Sequence, residues 1–182
     1  MRTQGGASAM DIPVTTRPIR PDDEPRFYRM WPRLSAETIY RRFHSPVRCL
    51  PADLVHRLVD VDHDRRDAVV ALVGDEVVGV ARYDRAAADP ASADFAVVVE
   101  DGWQGVGLGR QLLAEVTALA AARGVRTATA LVQTDNDRVV GLIRQVLPGS
   151  RFTREAEVFE VAGPLPVPRP AAASPRPLAA VS

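Results

Sequence analysis

A glycine-rich turn joins a buried strand to a long amphipathic helix, and this junction constrains the chain more than any other segment. Phe95 to Val99 is apolar and β-branched, the pattern of a buried strand. Glu100-Asp101-Gly102-Trp103-Gln104 then leads into Gly105-Val106-Gly107-Leu108-Gly109-Arg110. From about Leu108 to Arg123, Leu112, Leu113, Val116, Leu119 and Ala120 share one helical face, and Gly124 supplies a C-cap. Glycines let a backbone approach a ligand without Cβ obstruction. The first-turn amides of a helix are unpaired and its dipole is positive there. Together they form an anion site suited to a pyrophosphate.

The dinucleotide version of such a site needs GxGxxG after the first strand, with an acid about 20 residues on. Here the run is GxGxG and follows the fourth expected strand. Asp135 is too distant and follows the wrong kind of element. A dinucleotide fold is therefore set aside.

The rest of the chain alternates around this junction. Thr16 to Arg20 reads as a first strand. Asp22 or Asp23 caps a helix running to about Trp31, which Pro32 stops. Ser35 caps a second helix with Ile39, Tyr40 and Phe43 on one face. Pro51 opens a third, with Leu54, Val55, Leu58 and Val59 at helical spacing. Asp67 to Val73 and Glu76 to Tyr83 form a hairpin about Gly74-Asp75. After the long helix come a strand over Arg126 to Gln133, a helix over about Asn136 to Leu147, and closing strands at Arg151 to Thr153 and Glu157 to Val161. The fold class this predicts is α/β (α+β): a mixed, mostly antiparallel sheet with helices on both faces. One domain is expected over residues 15–162. Residues 1–14 and the Pro/Ala-rich residues 163–182 read as disordered tails.

Composition removes several function classes. The 182 residues carry 23 basic and 23 acidic groups, so no global field favours nucleic acid. Every basic residue is arginine. The absence of lysine excludes a Schiff-base or P-loop lysine and leaves the N-terminal amine as the only internal primary amine. The single cysteine, Cys49, allows no internal disulfide and no zinc cluster, which fits a reducing compartment. No apolar run approaches a membrane span, and the N-terminus lacks a signal-peptide core. The expectation is a cytoplasmic protein with no nucleic-acid, membrane or metal partner.

Gln104-Gly105-Val106-Gly107-Leu108-Gly109 resembles the Q/R-x-x-G-x-G/A acyl-CoA loop of the GNAT family of N-acetyltransferases, and the likeness extends from about Thr16 to Val161. It implies acetyl-CoA as co-substrate and no metal. Val97, Val98 and Val99 would hold the pantetheine arm through main-chain groups exposed where the fourth and fifth strands splay. The amides of Gln104, Gly105, Val106, Gly107, Leu108, Gly109 and Arg110 would hold the pyrophosphate. Asn136 matches a frequent family asparagine and would lie near the pantetheine or thioester.

Leu34-Ser35-Ala36-Glu37-Thr38-Ile39-Tyr40-Arg41-Arg42-Phe43, Val61-Asp62-His63 and Val80-Ala81-Arg82-Tyr83 look like the bacterial Pat-type protein-lysine acetyltransferases within that family. The added regulatory or synthetase-like domain of larger members is not expected here. The Pat-type general base, a glutamate on the fourth strand, aligns with Asp94, one methylene shorter. The family's tyrosine general acid aligns with Ile143, leaving water, Tyr40 or Tyr83 for any acid role. The implied mechanism is direct transfer. Asp94, or a water it holds, takes a proton from the amine. The Val97 amide polarises the thioester carbonyl. Cys49 lies outside the motif, which argues against an acyl-cysteine.

Weaker signals are read as structural. Asp60, Asp62, His63, Asp64 and Asp67 lack the spacing of a calcium loop. Arg41-Arg42 read as surface arginines, with the CoA 3′-phosphate or a protein partner as the functional alternative. His44 and His56 are isolated. Three functions stay open: acetylation of an amine, foremost a protein lysine; acetylation of a small metabolite or antibiotic amine; and a non-catalytic acyl-CoA-binding module.

Overall fold

A computed structural model describes residues 13–166 of the chain. The elements run β1 (Val14–Pro18), α1 (Glu24–Met30), α2 (Ala36–Phe43), α3 (Ala52–Val59), β2 (Arg66–Val73), β3 (Glu76–Arg85), β4 (Ser92–Val99), α4 (Leu108–Ala122), β5 (Thr127–Gln133), α5 (Asp137–Val146), β6 (Arg151–Glu155) and β7 (Val158–Pro164). Their order is the one read from the sequence. They build a seven-stranded sheet in the order β1-β2-β3-β4-β5-β7-β6. Every pairing is antiparallel except β4 with β5.

Two cores lie on opposite faces. On one, α4 and α5 cover a layer with Leu112, Val116, Ala120, Phe95, Ala128 and Ile143. On the other, α1 and α3 cover Ile19, Phe27, Val55, Val70 and Val77. Full burial of each Leu or Val side chain contributes about 1.5–3 kcal/mol. Gly79 on β3 fixes how closely α4 sits, because an added Cβ would fall 2.9 Å from Leu112 Cδ1. Among the described residues no helix is long and apolar enough to cross a membrane.

Several boundaries differ from the expectation. β1 begins two residues early because Val14 pairs with Val73. At its other end Arg20 leaves the ladder, and its amide donates to Asp23 Oδ2 at 2.9 Å. β4 begins at Ser92 because its first three residues pair with β5. β7 continues to Pro164, and Leu165 is buried with its N–H on Arg126 O at 2.8 Å. Strand pairing at Val14 and the buried side chain of Leu165 therefore lie just outside residues 15–162. The remainder of both expected tails lies outside the described residues.

Asp23 anchors α1 to the sheet edge. Its fully buried carboxylate accepts from Arg17 Nη1 and Nη2 at 2.8 and 2.6 Å, and Arg26 lies 3.3 Å away. Burial alone would raise its pKa. The Arg17 hydrogen bonds, the Arg20 amide and Arg26 outweigh this and hold it below the usual carboxylate range. Its stabilisation is complete above the unfolded value of about 3.9 and is lost as pH falls through the lower folded value. Asp23→Ala should cost about 2–3 kcal/mol in urea unfolding. An unchanged midpoint would show that the pair holds nothing in place.

Candidate active site

The site begins with a gap in the sheet. β4 and β5 pair over three positions only, Ser92 with Thr127, Ala93 with Ala128 and Asp94 with Thr129. Beyond Asp94 the strands diverge, while β4 stays paired to β3 through Val99. The β5-side edge of residues 95–99 is therefore left without a strand partner, the splay that the family resemblance implied. A groove of about 1570 Å³ occupies the gap. Val97, Val98, Val99, Asn136 and the whole of Gln104 to Arg110 line it.

The glycine loop adopts the conformation its composition suggests. Gly105 and Gly107 have φ of 81° and 90°, and a Cβ on either would meet nothing within 4 Å, so both open on the groove. Gly107 is the N-cap of α4, and Gln111 N donates back to Gly107 O at 3.1 Å. Among the described residues, the amides of Leu108, Gly109 and Arg110 find no protein acceptor. Free amides at a positive helix end suit an anion. Arg110 is exposed beside them. The residues present fit a pyrophosphate-bearing co-substrate.

Side chains on α2 and α5 brace this loop. Gln104 Nε2 donates to Val99 O at 2.9 Å and to Thr38 Oγ1 at 3.2 Å, and its Oε1 accepts from Arg138. Asp101 accepts from the Ser35 amide at 2.9 Å and from the Ser35 and Thr38 hydroxyls at 2.7 and 2.9 Å. Asn136 is buried and caps α5, its Oδ1 accepting from Val139 N at 3.3 Å. The same oxygen takes a hydrogen bond from Arg41 Nη1 at 3.1 Å.

The other end of the groove is charged. Alternation along β4 puts Phe95 and Val99 in the α4-side core and sends Asp94, Ala96 and Val98 to the α2 side. Asp94 lines the groove and is exposed to it. Asp84 stands directly opposite on β3, and Arg42 and His44 approach from α2. Burial raises the Asp94 pKa and the Asp84 charge adds to it. Arg42, His44 and the Thr129 hydroxyl pull the other way without cancelling the rise. A carboxylate raised in this way is a better proton acceptor than an ordinary aspartate.

The structure disposes of several alternatives. Tyr83 is fully buried, its hydroxyl bonded to Asp64 O at 2.9 Å and to Arg123 at 3.1 Å, away from the groove. Tyr40 is exposed and does not line the groove. Cys49 is exposed and also off the groove. Among the described residues no acidic or His/Cys cluster is placed to hold a metal. Asp62 instead accepts three turn amides, and Asp67 binds Arg123, His63 and the Ala68 amide.

Other residues at the site gave no signal in sequence. His44, isolated in sequence, ends α2 at φ 53° and lines the groove near Asp94. Arg138 and Asp84 are brought in by helix placement and register, which no motif encodes. Only the register of β3 on β4 could have found Asp84.

Comparison with known proteins agrees with this geometry. Residues 19–147 match the model of the acetyltransferase (GNAT) family. The Acetyltransferase Pat of Mycolicibacterium smegmatis is 34% identical over 122 residues, which is 66% of this chain and 36% of that protein. An acetyltransferase of Pseudomonas aeruginosa is 32% identical over 117 residues, 62% of each chain. This chain thus spans 36–62% of the length of these two relatives. The crystal structure of the GNAT domain of S. lividans PAT superposes with a TM-score of 0.78 at 31% identity, covering 84% of this chain and 90% of that one. A phosphinothricin acetyltransferase from Sinorhizobium meliloti, solved with AcCoA, shares the fold with a TM-score of 0.69 at 18% identity, over 84% and 88% of the two chains. With the splayed strands, the glycine loop and a family match over most of its length, the chain belongs to the acetyltransferase (GNAT) family.

Proposed function

We propose that the chain is an acetyl-CoA-dependent N-acetyltransferase that moves acetyl directly to an amine, foremost a protein lysine. The observation that carries this reading is one groove with two chemically distinct ends. The free loop amides and the unpaired edge of β4 suit acetyl-CoA, and a raised carboxylate, Asp94, stands where the strands part. The Pat-type strings of the sequence and the Pat relatives support a lysine acceptor.

In this mechanism the main-chain groups of Val97 and Val99, on the open edge of β4, align the pantetheine arm, while those of Val98 are turned to Val80 on β3 and are not free for it, a correction to the expectation for Val98. Asn136, its oxygen already taken by Arg41 and Val139, retains its amide hydrogens for a pantetheine carbonyl. Asp94, or a water it holds, removes one proton from the acceptor ammonium. The neutral amine attacks the thioester carbonyl, whose oxygen draws on the Val97 amide as charge develops. The C–S bond breaks, CoA leaves as thiolate, and the second amine proton passes to the thiolate or to solvent. A tyrosine acid is not required, because a thiolate is a competent leaving group.

A panel of acceptors at saturating acetyl-CoA tests the acceptor class by thiol release. Lysine peptides should give the highest kcat/KM. Polyamines or aminoglycosides outcompeting them would move the assignment to small amines. Binding of acetyl-CoA without turnover of any amine would leave a binding module.

A further inference from the structure

Two arginines near Asp94, the half-buried Arg42 and the buried Arg82, leave guanidinium N–H groups without a protein partner among the described residues. Arg82 is 7% exposed and donates through Nε to Asp84 Oδ2 at 3.1 Å, while its Nη groups have no protein partner among the described residues. The Arg42 guanidinium has no carboxylate or carbonyl partner among the described residues and rests over the Phe43 ring at 5.0 Å. Burial lowers its pKa and the Arg82 charge lowers it further, against the pull of Asp94 and Asp84. Both arginines border a cavity of about 40 Å³ whose other walls include Met30, Trp31, Leu34 and Val98. Arg42 also lines the main groove, so it links the two spaces. A guanidinium with free N–H donors beside the groove presents the fork that a carboxylate matches.

Register sets the spacing. Asp94 faces Asp84 and Arg82 faces Ala96, so Arg82 is the diagonal neighbour of Asp94 across β3 and β4. Diagonal positions lie about 7–8 Å apart, within the reach of one small molecule or one dipeptide step.

We infer that the acceptor carries a carboxylate close to its amine, and that Arg42, seconded by Arg82, receives that carboxylate while the amine meets Asp94. This deepens the proposed activity and rests on its placement of the amine at Asp94. The carboxylate has two possible sources: an acidic residue beside a protein lysine, or the acceptor's own carboxylate in a free amino acid. Their chemistry at Arg42 is the same.

The test uses the full chain with saturating acetyl-CoA and two matched pairs of acceptors. One pair is a peptide with Lys-Glu at its centre and the same peptide with Lys-Gln. The other is free lysine and cadaverine, its decarboxylated counterpart. The acidic member of at least one pair should have a KM lower by about tenfold, a modest return for a charge-assisted hydrogen bond. Arg42→Gln should collapse that ratio toward one, and Arg42→Lys should keep part of it. Acetyl-CoA affinity by calorimetry should stay within about twofold in both variants, which excludes misfolding as the cause. A preference in the peptide pair identifies the acidic neighbour. A preference in the free-amine pair alone supports this inference and removes the protein-lysine assignment. Equal KM values within both pairs, or a preference that survives Arg42→Gln, overturns the inference and leaves the transferase reading standing. No turnover of all four acceptors overturns both.

Discussion

Gly107→Glu is expected to weaken acetyl-CoA binding at least 100-fold, read by calorimetry. Gly107 caps α4 at φ 90°, a conformation that costs an L side chain about 1–2 kcal/mol. The Glu side chain would also bring a negative charge to the groove, where the free amides of Leu108, Gly109 and Arg110 await an anion. Strain and like-charge repulsion together exceed the 2.7 kcal/mol that corresponds to 100-fold. Gly107→Ala separates the two effects, since it keeps the strain without the charge and should lose only about tenfold. Wild-type affinity in Gly107→Glu would mean that the loop is a tight turn and that the co-substrate binds elsewhere.

Asp94→Asn should lower kcat about 10²- to 10³-fold and leave acetyl-CoA affinity close to wild type. The magnitude is that of a positioned general base. The pH profile supplies the more specific evidence. Asp94 must be ionised to act, so the wild-type rate should fall as pH drops through its raised value. That value lies above the ordinary aspartate range because burial and the facing Asp84 both disfavour the charge. Asp84→Asn removes one raising influence and should move the acidic limb to lower pH. Arg42→Gln removes a lowering influence and should move it to higher pH. Asp94→Asn should lack the limb altogether. An unchanged limb in Asp94→Asn would assign the base to another group, with His44 the next residue to test at that end of the groove.

Much of this molecule is legible in its sequence because local chemistry and tertiary demand agree. Gly105, Gly107 and Gly124 stand where φ is positive, and Ser35 and Asn136 cap their helices through side-chain oxygens. The alternation at Phe95 to Val99 separates a core face from a groove face, which is why the loop and the strand could be assigned together. What escaped depends on register. Asp84 reaches Asp94 because β3 pairs with β4 at that position, and a shift by one residue would send it to the other face. Arg138 reaches Gln104 only through the placement of α5 against the loop. Tyr83 was open as an acid because its partners Asp64 and Arg123 are distant in sequence, and burial among them removes it. Strand ends shifted for the same reason. Ser92 to Asp94 are strand residues because β5 lies alongside, not because their own propensity is high.

Direct acetyl transfer from the groove to an external amine, as proposed above, leaves no acyl-enzyme behind. Mass spectrometry of one reaction tests it, with protein, acetyl-CoA and a lysine peptide sampled at short times. The chain contains no lysine, so its own mass is a clean record of any acyl-enzyme, apart from the single N-terminal amine. The peptide should gain one acetyl group for each CoA thiol released, while the protein mass stays constant. An acetylated protein that forms first and then donates its acetyl to the peptide, or thiol release with no acetylated amine, would rule out direct transfer.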